Sequence, residues 1–166
     1  MAPVTEVDAK YTDHVHPWEE IVHYVSINQV DQLRRNREAQ AIYQEWIKNT
    51  LKKYGTLENF LLKEKIHFPA EDIDMDDHDK QNRSPAILIL PNDFPYSVEP
   101  GIEHILIWSK VPLSADFVES VLEEKYGSSK WEWIYFVNPP ETQSVRRLPH
   151  VHVFMRSRKG KKQTEN

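Results

Sequence analysis

The apolar residues of this chain of 166 residues change their spacing near residue 86. Before that point they recur at helical intervals, and after it they form short runs rich in Ile, Val and aromatic residues. A period of 3.6 residues predicts helices, whereas short β-branched runs bounded by Pro, Gly and Asn predict strands. Helices followed by strands predict a single α+β domain with an antiparallel sheet.

Three stretches in the first part of the chain carry helix signals. A helix is predicted over residues 18–27, after a proline that suits a first turn. A second is predicted over 37–54, with Gly55 as its stop, and a third over 56–66, which begins at a capping Thr. In the second helix the residues at helical spacing are Ile42, Trp46, Leu51 and Tyr54. Tyr43 and Trp46 are interpreted as helix-packing residues.

Four runs in the second part predict strands, over residues 86–90, 102–110, 131–138 and 150–156. One helix is predicted between the second and third runs, with Ser114 as its N-cap and Gly127 as its stop. Residues 131, 133 and 135 share one strand face, which is typical of core packing, although a sugar or a base can also stack on such a face.

These signals divide the chain into a loose arm (1–15), a helical part (16–68), an acidic loop (69–85), an α+β core (86–156) and a disordered tail (157–166). The acidic loop lacks the glycine-containing ligand spacing of a calcium loop. We therefore expect a solvated connection there and no metal site.

Composition excludes several classes of function. The chain has no cysteine, so thiolate metal sites, cysteine nucleophiles and disulfides are absent. The formal charge of -5 argues against general nucleic-acid binding, which needs a basic surface. No apolar run approaches the roughly 20 residues of a membrane span. We expect a soluble, intracellular protein whose chemistry depends on His, carboxylates and Arg.

Two histidines lie on one face of the last predicted strand. His150 and His152 are two residues apart, and such side chains point to the same side. Three interpretations stay open: half-buried polar residues, a metal site completed by His104, and groups that act on a phosphate ester. Nearby arginines favour an anionic ligand over a divalent cation. They are Arg146, Arg147 and Arg156.

An ordered set of motif residues runs through the core. A Pro-rich turn leads through Gly and His into an apolar strand that ends near Lys, and after a helix an Asn precedes Gln-Ser-Val and two alternating histidines. The residues are Pro95, Pro100, Gly101, His104, Lys110, Asn138, Gln143, Ser144, Val145, His150 and His152. This stretch resembles the histidine-triad superfamily of nucleotide hydrolases and transferases. The resemblance implies a histidine-triad-like fold.

The resemblance also implies roles for these residues. The middle histidine of that superfamily attacks the α-phosphorus of a nucleotide and forms a covalent nucleotidyl-histidine, a role that falls to His150. Contacts to phosphate and ribose fall to His152, Asn138, Gln143 and Ser144. Leu148 stands where the superfamily has its first histidine. We therefore expect the ring of His150 to lack the support that fixes its tautomer and orientation.

Further motif residues extend along almost the whole chain. They are Asn92, Asp93, Pro95, Tyr96, Gly101, His104, Trp108, Lys110, Asn138, Pro139, Ser144, His150 and His152. With them, segments 17–68, 90–110 and 138–156 resemble the fungal N-acetylglucosamine-induced protein family, a domain of unknown function. That resemblance implies a link to the amino-sugar response through a nucleotide-sugar such as UDP-N-acetylglucosamine. It also implies a cytoplasmic location, extending to the nucleus.

Together these observations predict a pocket for a phosphorylated small molecule, a nucleotide or a nucleotide-sugar, with nucleotidyl hydrolysis or transfer through His150. The candidate catalytic residues are His150, His152 and His104. The candidate ligand-binding residues are Asn92, Asp93, Tyr96, Lys110, Asn138, Gln143, Ser144, Arg146 and Arg156. We expect no cofactor, no resident metal and no membrane partner, and the superfamily resemblance implies a homodimer. The alternatives are a non-catalytic regulatory protein of the amino-sugar response and a metal enzyme with histidine ligands.

Overall fold

The computed structural model of the chain describes residues 11–68, 85–138, 145 and 147–158. It combines helices with an antiparallel sheet in the predicted order, so the α+β prediction is confirmed. The helices are α1 (Trp18–Ser26), α2 (Arg37–Tyr54), α3 (Leu57–Phe60) and α4 (Ala115–Lys125). The strands are β1 (Ile87–Pro91), β2 (Ile102–Ser109), β3 (Trp131–Phe136) and β4 (His150–Ser157). A 3₁₀ turn (Val30–Gln32) precedes α2, and a π-helical turn (Leu61–Lys65) continues α3.

Local capping explains why the helix boundaries match the sequence signals. The side chains of Thr56 and Ser114 each accept a hydrogen bond from a backbone N–H of the first helical turn, at 3.0 and 3.2 Å. Such bonds satisfy donors that have no partner inside the helix. Helix α2 ends at Gly55, whose φ of 83° lies in the left-handed region that favours glycine. Both predicted caps and this predicted stop are confirmed.

The sheet has the order β1-β2-β4-β3, and every neighbouring pair is antiparallel. In the register of β2 with β4, Leu106 lies opposite His152 and Trp108 lies opposite His150. Because side chains alternate along a strand, His104 shares a face with these four residues. We call this the inner face of the sheet. The predicted common orientation of His150 and His152 is confirmed.

Helices cover both faces of the sheet. On the outer face, α4 packs Val118 and Leu122 against Ile107, Val153 and Met155. The β3 side chains Trp131, Trp133 and Tyr135 join this outer core, which confirms their interpretation as packing residues. On the inner face two apolar clusters lie under the N-terminal helices. The histidines lie on this inner face, next to both clusters.

Helix α2 packs differently from the prediction. Ile42 is 56% exposed and Leu51 is 44% exposed, although both lie at helical spacing with Trp46. Tyr43 and Trp46 instead contact Phe94, with ring centroids 5.1 and 4.9 Å apart. The side of α2 that faces the sheet is therefore aromatic. The predicted apolar face was wrong for Ile42 and Leu51, which point away from the core.

The N-terminal arm is fastened over the part that the structure describes. Tyr11 forms a parallel bridge with Arg35, and His16 forms one with Val98. Residues 11–15, predicted as a loose arm, therefore hold the turn before α2 in place, because the Thr12 N–H donates to the Arg35 carbonyl at 2.9 Å. Segments 1–10, 69–84 and 159–166 lie outside the described residues. Within the described ranges, no helix has the length and apolar character needed to cross a membrane.

Candidate functional site

A cavity of about 110 Å³ lies between the inner face of the sheet and the N-terminal helices. Its polar lining residues are Arg35, Lys65, Asn92, Asp93, Tyr96, Asn138, His150 and His152. Its aromatic lining residues are Tyr43, Trp46, Phe60, Phe94, Tyr96 and Trp108. A concave, largely aromatic site with a few converging polar groups is the usual form of a small-molecule site.

A directional hydrogen-bond chain crosses the floor of this cavity. The Tyr96 backbone N–H lies 3.3 Å from His104 Nδ1, and because this group can only donate, Nδ1 must accept. His104 then carries its proton on Nε2, which donates to His152 Nδ1 at 2.9 Å. Asn92 Oδ1 accepts the Phe94 N–H at 2.9 Å, so the Asn92 amide nitrogen faces the His104 ring and lies 3.5 Å from the accepting Nδ1. The tautomers of both histidines follow from these partners.

Asn138 ends the chain. Since His152 Nδ1 accepts, Nε2 carries the proton of His152 and needs an acceptor. The structure places the amide nitrogen of Asn138 3.1 Å from this Nε2 and 3.4 Å from the Tyr96 hydroxyl. The two amide orientations differ only in exchanging O and N, and the tautomer chain requires the oxygen at this position. The amide of Asn138 thus accepts from His152, and both ring nitrogens of His152 are occupied.

His150 has a different environment. Its Nδ1 lies 2.9 Å from the Leu148 carbonyl oxygen, which can only accept, so Nδ1 carries the proton. Nε2 is therefore unprotonated, and the ring lines the cavity while it packs on Trp108 at 4.6 Å between centroids. The expectation that Leu148 leaves this ring without support is wrong, because the backbone carbonyl of that residue fixes the tautomer. A side chain at position 148 is not needed for that purpose.

Burial keeps all three imidazoles neutral. Burial, together with the smaller effect of the Arg35 charge, lowers the pKa of His104 from 6.5 to about 3. The pKa of His152 lies well below its usual range because of burial and the neighbouring His104, His150 and Arg35. Burial also lowers the pKa of His150, although its bond to the Leu148 carbonyl opposes the change. These rings therefore offer lone pairs or N–H groups, and they offer no positive charge.

Three predicted site residues do not line the cavity, and a fourth lines it in an ion pair. His104 is buried behind His152 and does not line the cavity. Lys110 is exposed beyond the end of β2, with its Nζ 5.7 Å from the Phe68 ring. Arg156 lies at the other end of β4, paired with Glu132 and stacked on Trp18 at 4.8 Å. Asp93 lines the cavity but forms an ion pair with Lys65.

Three other predicted ligand-binding residues lie outside the described residues. They are Gln143, Ser144 and Arg146. The structure adds residues of the helical part that the sequence analysis did not select for function. These are Arg35, Tyr43, Trp46 and Lys65. These residues reach the site only because the helical part packs against the sheet, which the sequence does not reveal. An arginine close to aromatic residues in the sequence is the one signal that could have indicated a binding role.

A second histidine cluster is structural. His16 donates from Nδ1 to Glu20 at 2.6 Å and accepts the Arg34 N–H on Nε2 at 3.2 Å, while His14 bonds the same carboxylate at 2.7 Å. The side-chain ligand atoms are close enough together to surround a metal ion. However, an ion on Nδ1 would move the ring proton to Nε2, against the Arg34 N–H. The cluster instead fixes the backbone at Arg34.

A family model described as protein of unknown function (DUF3605) matches residues 17–156, most of the chain. The chain belongs to this family. An uncharacterized protein of Saccharomyces cerevisiae, YPL067C, is 28% identical over 83% of this chain and 77% of its own length. The N-acetylglucosamine-induced protein 1 of Candida albicans is 25% identical over 84% of this chain and 67% of its own length.

A solved structure is also similar to this member of the DUF3605 family. The crystal structure of HTC1 is 27% identical and covers 84% of each chain, with a TM-score of 0.60. The predicted relation to N-acetylglucosamine-induced fungal proteins is supported at this level of similarity.

Proposed function

We propose that the cavity binds a nucleotide or a nucleotide-sugar and that His150 is its reactive group. One observation carries the proposal. The Leu148 carbonyl holds the proton of His150 on Nδ1, so the ring that lines the cavity is a neutral imidazole with an unprotonated Nε2. A neutral imidazole is a good nucleophile near pH 7, and burial keeps the ring in that form.

The proposed reaction has two balanced steps. The Nε2 lone pair of His150 attacks the α-phosphorus, an N–P bond forms, and the P–O bond to the leaving phosphate or sugar phosphate breaks. The ring is then cationic, and its Nδ1–H still donates to the Leu148 carbonyl. Water next attacks the phosphorus, which releases the nucleoside monophosphate, the neutral ring and one proton. An acceptor hydroxyl in place of water would give transfer instead of hydrolysis.

The neighbours of His150 act as positioning residues in this proposal. His152 is held by His104 and Asn138 through both ring nitrogens, so it keeps the cavity floor rigid and neutral. Well-positioned groups lower the entropic part of a reaction barrier. A cavity of about 110 Å³ is smaller than the roughly 300 to 1,000 Å³ that enclose drug-sized ligands. The cavity therefore encloses the reacting phosphate and an adjacent group, and the remainder of the ligand lies outside it.

Two similarities support this choice of ligand. The motif order over residues 86–156 supports a histidine-triad-like core, in which nucleotides are the substrates. The Candida relative is named for its induction by N-acetylglucosamine, which supports a nucleotide-sugar of the amino-sugar response. The tautomers argue against the metal alternative, because both ring nitrogens of His104 and of His152 already have hydrogen-bond partners.

Nucleotides and nucleotide-sugars should raise the melting temperature of the wild-type protein. A ligand at 100 times its Kd adds about 2.7 kcal/mol, or roughly 5 to 10 °C for a chain of this size. Wild-type protein quenched in alkali, where a phosphoramidate survives, should also carry the mass of one nucleotidyl group. His150→Ala should lose this adduct, and His23→Ala, which changes an exposed histidine of α1, should retain it. The measurements are a thermal-shift screen and intact mass spectrometry.

Binding without an adduct would overturn the catalytic half of the proposal and favour the regulatory alternative. If no member of a panel of nucleotides, nucleotide-sugars and sugar phosphates shifts the wild-type melting temperature, the binding half falls as well.

A further inference from the structure

Arg35 is held firmly at the cavity wall. Its Nε–H donates to the Phe94 carbonyl at 2.7 Å, and its guanidinium carbon lies 3.8 Å from the centre of the Tyr43 ring and 5.2 Å from that of Tyr96. Its backbone is fixed by the arm, through the Thr12 bond to its carbonyl. A guanidinium that stacks on aromatic rings loses little freedom when it binds a ligand.

The outer edge of this guanidinium is open. Within residues 11–68, 85–138, 145 and 147–158, neither Nη atom of Arg35 has a hydrogen-bond acceptor, and no carboxylate pairs with it. Two parallel N–H donors of this kind match two oxygens of one phosphate or carboxylate. The contacts of Arg35 with the described residues are made by Nε, by the face of the guanidinium that stacks on the rings, and by the backbone.

Among the described residues that line the cavity, Arg35 is the cation that no carboxylate compensates. Lys65 and Asp93 line the same cavity and neutralise each other in an ion pair. The histidines that line it are neutral, and the phenol of Tyr96 stays protonated because burial raises its pKa. The whole chain has a formal charge of -5, yet the described residues that line this cavity have a net positive charge. An anion is the ligand that such a wall favours.

We infer that Arg35 is the anion-binding residue of the cavity, which we call the anchor. Its two open Nη groups donate hydrogen bonds to a phosphate group of the ligand. The inference rests on the proposed function for the identity of the anion, because a carboxylate offers the same two oxygens. Arg35 belongs to the turn before α2, so the helical part supplies the residue that binds the phosphate, and β4 supplies the reactive histidine. The site is then shared between the two parts of the chain.

The test is an NMR titration of the full chain with inorganic phosphate, and separately with acetate, at constant ionic strength. Wild type should bind phosphate, and Arg35→Gln should bind it roughly ten to a hundred times more weakly, since two charge-assisted hydrogen bonds are lost. Arg35→Lys keeps the positive charge but lacks the two parallel N–H donors, so its phosphate affinity should lie between those of wild type and Arg35→Gln. Arg37→Gln makes the same charge change outside the cavity, on a side chain stacked over Tyr11, and should bind as wild type does.

Equal phosphate affinity in wild type and Arg35→Gln would overturn the inference, and Arg35→Lys gives the same decision if the Gln variant does not fold. Tighter binding of acetate than of phosphate would overturn the phosphate assignment. Failure of the two proposals can be told apart. If phosphate binding depends on Arg35 but no His150 adduct forms, the role of Arg35 stands and the proposed reaction is wrong. If the His150 adduct forms equally well in Arg35→Gln, the proposed reaction stands and the role of Arg35 is wrong.

Discussion

Acidification from pH 7 to pH 5 should lower the free energy of unfolding by roughly 4 kcal/mol, because two buried histidines resist protonation in the folded protein. Burial lowers the pKa of His104 to about 3 and that of His152 well below 6.5. In the unfolded chain both rings take up a proton near pH 6.5. Typical domains have only 5 to 15 kcal/mol of stability, so the loss is large.

The sign and the pH window follow from the direction of these shifts. Above pH 6.5 neither state binds the protons, and stability does not depend on these groups. Below pH 6.5 the unfolded state binds more protons than the folded state. For each histidine, the free energy of unfolding therefore decreases by about 1.4 kcal/mol for every unit by which the pH is lowered. For His104 the fall continues to about pH 3, where the folded ring titrates as well.

Urea denaturation at half-unit steps between pH 7.5 and pH 5 measures this slope. His104→Gln removes one titrating ring, so the slope should fall by about 1.4 kcal/mol per unit. His23→Gln changes an exposed histidine on α1 and should leave the slope as it is in wild type. A wild-type stability that stays constant from pH 6.5 to pH 5 would mean that the cluster takes up protons while folded. That result would contradict the neutral hydrogen-bond chain from Tyr96 to Asn138.

The elements of the fold could be predicted because their signals are local. Caps such as Thr56 and Ser114 lie next to the helices that they start, and a two-residue period decides which strand residues share a face. The pairing of His150 with Trp108 could not be predicted, since strand order and register depend on contacts far apart in sequence. The exposed Ile42 shows the same limit for a helix. Its burial depends on where the sheet lies.

The candidate site was predictable on the sheet and not on the helices. His150 and His152 carry a recognisable pattern, and the cavity includes both. Arg35 has no motif of its own, and it reaches the cavity because Tyr11 and His16 fasten its turn to the core. The support of His150 was missed for another reason. A backbone carbonyl supplies it, and no side-chain pattern records where a carbonyl points.

Phe154→Ala should destabilise the protein by roughly 3 to 5 kcal/mol, the usual cost of removing a buried aromatic ring. Phe154 is fully buried in the inner-face cluster that Trp18 and Ile21 of α1 join. Its ring lies flat against His104, with centroids 4.3 Å apart and planes 29° apart. Removing the ring leaves a void that neighbours in two elements can only partly fill. Urea denaturation followed by Trp fluorescence measures the loss.

The same substitution links stability to the histidine chain. A void beside His104 admits water, which reduces the burial that lowers the pKa of this ring, so Phe154→Ala should also show a weaker loss of stability on acidification than wild type. Phe154→Leu keeps more of the volume and should cost less. Ile42→Ala, on the exposed side of α2, should stay within about 0.5 kcal/mol of wild type. A loss for Phe154→Ala no larger than for Ile42→Ala would show that α1 does not close over this part of the inner face.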